Sequence, residues 1–190
     1  MRLITILLPV MLFSVFLTGC NSTNIKTNTT NMDDSLKKDN PVYSNTDTNK
    51  VTIADTEWKK ILPEDVYDIA RQKSTERPFT GKYWDSFDTG IYYCAACGNP
   101  LFASNGKFES SCGWPSFFEP ITKGSIIYAP DNTYGMKRTE VMCGRCKAHL
   151  GHVFEDGPPP TGLRYCINSV ILDFEKAKDA DKKFKEDPSK

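Results

Sequence analysis

The sequence predicts a mainly β domain of antiparallel strands, over about residues 80–174, with two short helices ahead of it. Three observations carry that prediction. After Pro78, aromatic residues recur at short intervals among glycines and prolines: Phe79, Tyr83, Trp84, Phe87, Tyr92, Tyr93, Phe102, Phe108 and Trp114. The runs Gly90–Cys94, Ser125–Ala129 and Thr139–Met142 have strand composition, and Tyr165–Phe174 reads as one strand with no Gly or Pro to interrupt it. Ahead of them, Val66, Ile69 and Ala70 fall on one face at helical spacing.

In chain order, residues 1–19 read as a signal peptide. Arg2 is the only charge, and the apolar run to Thr18 is short for a membrane helix and broken by Pro9. Leu17-Thr18-Gly19-Cys20 resembles the bacterial lipobox, which makes Cys20 a lipidation site and the mature protein membrane-anchored and extracytoplasmic. Residues 20–50 then form a flexible tether, because Asn, Thr, Asp, Ser and Lys cannot bury enough surface to offset ordering entropy. The folded part spans residues 51–174. Asp55 is expected to cap a first helix through Trp58 and Ile61, and Pro63 to open a second that runs to about Lys73. Residues 175–190 are a charged tail of mixed sign.

Composition narrows the function. At 39% hydrophobic residues the chain can build a sizeable core, and its formal net charge of zero offers no basic field for nucleic acid. The seven cysteines divide by context. Cys94/Cys97 and Cys143/Cys146 form two C-x-x-C pairs, a ligand set suited to a closed tetrahedral structural metal, zinc ahead of iron. Two disulfides or a redox C-x-x-C are the alternatives; export favours the first, and the lack of a βαβ context speaks against the second.

Cys112 and Cys166 remain. Arg164, Cys166 and Asn168 share a strand face, where a guanidinium lowers a thiol pKa and an amide offers donors, so Cys166 is a nucleophile or else a small buried cysteine. His149 and His152 stand close before it and give a general acid/base a place. Cys112 lies in a Gly- and Pro-containing segment, where it is a resolving thiol or a loop thiol without a role. Trp114 offers an apolar face for a methyl group, or a core side chain.

Seven segments bring these features together: Arg77–Gly81 (RPFTG), the two knuckles, Cys112–Phe117 (CGWPSF), His149–Phe154 (HLGHVF), Gly157–Gly162 (GPPPTG) and Arg164–Ser169 (RYCINS). Together they resemble the B-type peptide methionine sulfoxide reductase family over residues 55–174. The resemblance implies two antiparallel sheets, one structural Zn2+ on the four knuckle cysteines away from the active site, and reduction of the R epimer of methionine S-oxide. It implies Cys166 as nucleophile, Cys112 as resolving cysteine, and His149, His152, Arg164 and Asn168 as the polar active-site set. It also implies Trp114 and Phe154 as the aromatics that hold the substrate, and a thioredoxin-like reductant, here extracytoplasmic. Tyr134 departs from the pattern, standing where many members carry His. The competing expectation is a non-enzymatic zinc β module that binds a protein partner.

Overall fold

A computed structural model describes residues 39–177. The signal peptide, Cys20, the tether up to residue 38 and the tail from residue 178 lie outside the described residues. Among the described residues, no helix is long and apolar enough to cross a membrane.

Helices α1 (Asp55–Ile61) and α2 (Glu64–Gln72) come first. Ala54, not Asp55, is the first cap, and Pro63 caps α2 from outside instead of opening it. Lys73 ends α2 in the left-handed conformation and reaches Glu140 on the sheet at 2.8 Å. Trp58, Ile69 and Ala70 are buried, as the helical spacing requires.

Among the described residues nine strands follow: β1 (Gly90–Cys94), β2 (Pro100–Ala103), β3 (Lys107–Phe108), β4 (Ser116–Phe117), β5 (Ile126–Asp131), β6 (Arg138–Cys143), β7 (His149–Phe154), β8 (Arg164–Ile167) and β9 (Leu172–Lys176). They form two antiparallel sheets, ordered β2-β1-β9 and β3-β4-β8-β7-β6-β5. An aromatic core joins them. Phe102 of the small sheet stacks on Phe117 of the large one at 4.4 Å, and Tyr92 meets Phe117 edge-on at 5.1 Å. Because strand side chains alternate, burying Phe117 and Tyr165 inward turns their neighbours Ser116 and Cys166 to the opposite face.

Two sequence expectations need correction. Tyr165–Phe174 is not one strand: the chain turns over Asn168–Ile171 and continues as β9 in the other sheet. Polar groups hold the turn. Glu76 accepts from the Ser169 and Val170 N–H groups at 2.6 and 2.9 Å, and Leu172 N–H bonds the Ser169 carbonyl at 3.0 Å. The packed body also begins earlier than residue 51. Residues 40–51 form a strap over the knuckles, with Ser44 N–H on the Cys97 carbonyl and Val51 N–H on the Arg145 carbonyl, both at 3.0 Å. Low hydrophobicity concealed this, because much of what holds the strap is polar, such as Asn40 Nδ2 donating to the Ala96 carbonyl at 2.9 Å. The Arg145 guanidinium donates to the carbonyls of Val42, Asn49 and Cys97 and pairs with Asp47 at 2.7 Å.

Replacing Arg145 with Ala removes the guanidinium donor from the Val42 and Asn49 carbonyls and the partner of Asp47, so we expect a loss of about 3 kcal/mol of stability. Urea unfolding measures it, and an unchanged midpoint would refute the role given to this strap.

Candidate active site and metal centre

The metal centre lies where the two sheets meet. Cys94 ends β1 and Cys143 ends β6, and each strand is followed by a turn that returns Cys97 or Cys146. All four thiols are buried, and their Sγ atoms lie within 4.8 Å of one another. The cross-knuckle pairs Cys94–Cys146 and Cys97–Cys143 stand at 3.8 and 3.7 Å. That is far longer than a disulfide, about 2.05 Å. It matches the edge of a tetrahedron with thiolates about 2.3 Å from a central ion, an edge of about 3.8 Å. The donor set therefore fits one four-coordinate metal ion that links the sheets.

The second site grows from one row of the large sheet. Ser116 of β4 pairs with Cys166 of β8, Cys166 with His152 of β7, and His152 with Glu140 of β6. Directly opposed residues on antiparallel strands project to one face with Cβ atoms about 5 Å apart, so the register sets hydroxyl, thiol, imidazole and carboxylate side by side. Gly151 permits the close β7–β8 approach: a Cβ there would overlap the Cys166 carbonyl oxygen. The metal ligand Cys143 lies three residues along β6 and two strands across from Cys166, roughly 14 Å away.

Cys112 arrives from the turn before β4, and its Sγ stands 3.6 Å from Cys166 Sγ. Both are half-buried. The pair shares a proton unevenly. Hydrogen bonding from Cys166 first, then from Ser110 and Ser116, brings the Cys112 pKa down to about 4. Cys166 is pushed far up, by the bond to Cys112 first and by burial second, while Arg164 draws it down and is outweighed. Both shifts point the same way, favouring the charged form of Cys112 over that of Cys166, although Arg164 favours the charged form of Cys166. Arg164 also pairs with Asp156 through two 2.8 Å bonds and lies 4.5 Å over the Phe154 ring.

The two histidines hold different posts. His152 Nε2 pairs with Asp131 Oδ2 at 2.7 Å. Bonds from the Thr133 hydroxyl and N–H first, then His152 and Arg138, hold Asp131 well below the usual carboxylate range. His149 is buried, and its Nδ1 pairs with Glu140 at 2.8 Å. Burial lowers the His149 pKa, and its Nε2 has no hydrogen-bond partner among the described residues. Its ring stands 5.5 Å from that of His152. Against the upward pull of burial, Lys73 and His149 hold Glu140 below its ordinary value.

Asn168, expected among the active-site polar groups, is buried at the end of β8 with both ends of its amide bonded to backbone. Its amide donates to the Leu150 carbonyl and accepts from Glu76 N–H, each at 3.0 Å. Trp114 Nε1 donates to the Glu76 carbonyl at 3.2 Å, which fixes the indole next to the Cys112 turn. Tyr134 stands 92% exposed at the β5–β6 turn, so it does not pack into the site. Sequence reading missed Asp131, Glu140, Asp156 and Ser116. Only strand register or tertiary pairing brings them to the thiols and histidines, and no local motif signals that.

Comparison with known proteins bears on both sites. Residues 62–176 match the SelR domain family. The chain is 54% identical over 132 residues to a Herminiimonas arsenicoxydans protein described as peptide methionine sulfoxide reductase MsrB, covering 70% of this chain and 96% of that one. A Methanosarcina mazei protein of the same description is 54% identical over 134 residues, with the same coverage of each. A third, from Agrobacterium fabrum, is 55% identical over 126 residues, covering 66% and 93%.

A thiolate with a pKa of about 4 is formed at neutral pH and lost only as pH falls through that value. We expect iodoacetamide at pH 6 to modify Cys112 ahead of Cys166, with a rate that declines below about pH 5. Peptide mapping checks this, and labelling that begins only near pH 8 would contradict it.

Proposed function

The chain belongs to the SelR-domain family, and from that membership we propose how its paired thiols perform the family's reaction. The activity is reduction of methionine (R)-S-oxide in proteins to methionine, and the protein is an oxidoreductase. The observation that carries the mechanism is the 3.6 Å separation of Cys112 and Cys166 beside the His152 row.

The substrate methyl packs against Trp114 and Phe154, and the sulfoxide sulfur faces Cys166. As Cys166 Sγ attacks, its proton passes to the Cys112 thiolate. His152, oriented by Asp131, protonates the oxygen as negative charge gathers there. The substrate S–O bond breaks as the hydroxyl passes to Cys166 Sγ, methionine leaves with the electron pair on its sulfur, and Cys166 is left as a sulfenic acid. Cys112 then attacks the sulfenic sulfur, a Cys112–Cys166 bond forms, and the oxygen departs as water. One sulfoxide and two thiols thus become one methionine, one disulfide and one water. His149 and Glu140 brace His152 from behind, and Asn168 and Glu76 set the end of β8 and the Trp114 indole.

The metal at the four knuckle cysteines is zinc in this reading, held by Cys94, Cys97, Cys143 and Cys146. When bound it cross-links β1 and β6 and supplies no group to the reaction. A thioredoxin-like donor reduces the disulfide. The lipobox pattern supports an anchor at Cys20, an extracytoplasmic location and donor, and a role in repairing oxidised exported proteins.

Supplied with either epimer and dithiothreitol, the protein should reduce only the R form, and Cys166→Ser should abolish a single turnover. Cys112→Ser should release one methionine per chain yet fail to recycle with thioredoxin. Normal recycling by Cys112→Ser would remove Cys112 from the mechanism. For the anchor, Cys20→Ser should move the protein from the membrane to the soluble fraction of its host; unchanged membrane fractionation would exclude lipid at Cys20.

A further inference from the structure

The strap over residues 40–51 precedes the stretch that matches the SelR domain, residues 62–176, yet it is bonded to both metal knuckles. On the first knuckle, Asn40 Nδ2 donates to the Ala96 carbonyl at 2.9 Å and Ser44 N–H to the Cys97 carbonyl at 3.0 Å. The strap backbone lies so close there that a Cβ at Gly98 would stand 2.6 Å from the Ser44 carbonyl. On the second knuckle, Lys50 Nζ donates to the Gly144 carbonyl and Val51 N–H to the Arg145 carbonyl. Arg145 is buried, follows Cys143 by two residues and joins all three pieces. Its guanidinium donates to the Cys97 carbonyl of the opposite knuckle and to the Val42 and Asn49 carbonyls of the strap, and it pairs with Asp47 at 2.7 Å. Tyr43 O–H adds a bond to Asp173 of β9.

The strap therefore ties together the same two turns that one ion on Cys94, Cys97, Cys143 and Cys146 would tie together. Two ties across one gap are coupled. Whatever the ion contributes to holding the knuckles in place favours docking of the strap, and docking favours the ion by the same factor. All four thiols are buried with the strap in place, so an ion held by them leaves through a local opening of the surrounding chain. The strap is suited to that opening. Its apolar anchors Val42 and Val51 are only partly buried against the core, and the rest of its hold is polar. Charge works in the same direction. Four thiolates exceed the charge of a divalent ion, and the strap brings Lys50 onto the knuckle backbone beside Arg145. We propose that residues 40–51 are a metal-retention strap: docked, they slow release of zinc from the four cysteines, and loss of the zinc frees them. The proposal rests on the zinc assignment given above.

The test compares the zinc-loaded full chain with a strap variant carrying Asn40→Ala and Asp47→Ala together, which alters neither a cysteine nor a group given to the reaction. Phe117→Leu, a truncation in the aromatic core, controls for a general loss of stability. Zinc released into a pyridylazo-resorcinol chelator gives a first-order rate. The expected result is release about tenfold faster from the strap variant, and within about twofold of the parent from Phe117→Leu. An unchanged rate in the strap variant overturns the proposal, as does equal acceleration in both variants. The reciprocal measurement is amide hydrogen exchange in the parent before and after chelation. Without zinc, residues 40–51 should exchange about tenfold faster while β7 and β8 stay within about twofold. Unchanged protection of the strap overturns the proposal. So does joint loss of protection in both regions, which would make the metal a tie for the whole fold. Failure of the zinc assignment looks different: the parent itself would hold no zinc to release.

Discussion

The register of β8 between β4 and β7 is the constraint on which the site depends. Tyr165 must enter the aromatic core, where Phe102 lies 5.9 Å away. Alternation then forces Cys166 onto the opposite face, in line with Ser116 and His152. A slip of one residue would bury the thiol and expose the tyrosine. Gly151 fits the same demand, since only a residue without Cβ lets β7 lie this close to the Cys166 carbonyl. Core packing and catalytic placement are thus one structural choice, and the energy that fixes the strand also aligns the reacting groups.

Six cysteines among the described residues serve two purposes, and their surroundings separate them. Four are fully buried, arranged at tetrahedral spacing and closed over by the 40–51 strap. Two are half-buried, stand 3.6 Å apart and share one charge. The distance of roughly 14 Å between Cys143 and Cys166 along the sheet keeps the knuckle thiols apart from the Cys112–Cys166 pair.

Much of this was legible in the sequence, where chemistry is carried by neighbours in the chain. The two C-x-x-C pairs, the separate Cys112 and Cys166, and the paired histidines could all be identified locally. What depends on register could not. Asp131 is 21 residues from His152 and meets it only because β5, β6 and β7 are adjacent. Strand β7 was read as a motif, not a strand, because Gly151 interrupts its pattern. The break inside Tyr165–Phe174 was hidden because Asn168 and Ser169 act through partners far away, Leu150 and Glu76. The strap escaped because its binding energy comes from the Arg145 fork and backbone carbonyls, to which hydrophobicity is blind. Arg164 suggested a resting thiolate on Cys166; Asp156 and the nearer Cys112 together change that electrostatic balance.

The central claim is that Cys166 and Cys112 together take one oxygen from one sulfoxide. The most direct measurement is a single turnover without reductant, using a peptide that carries methionine (R)-S-oxide, followed by alkylation and peptide mapping. The account predicts one methionine per chain and a Cys112–Cys166 disulfide, with Cys94, Cys97, Cys143 and Cys146 still bound as a metal site. A free, alkylatable Cys166 after methionine release, or a disulfide formed among the knuckle cysteines, would contradict it.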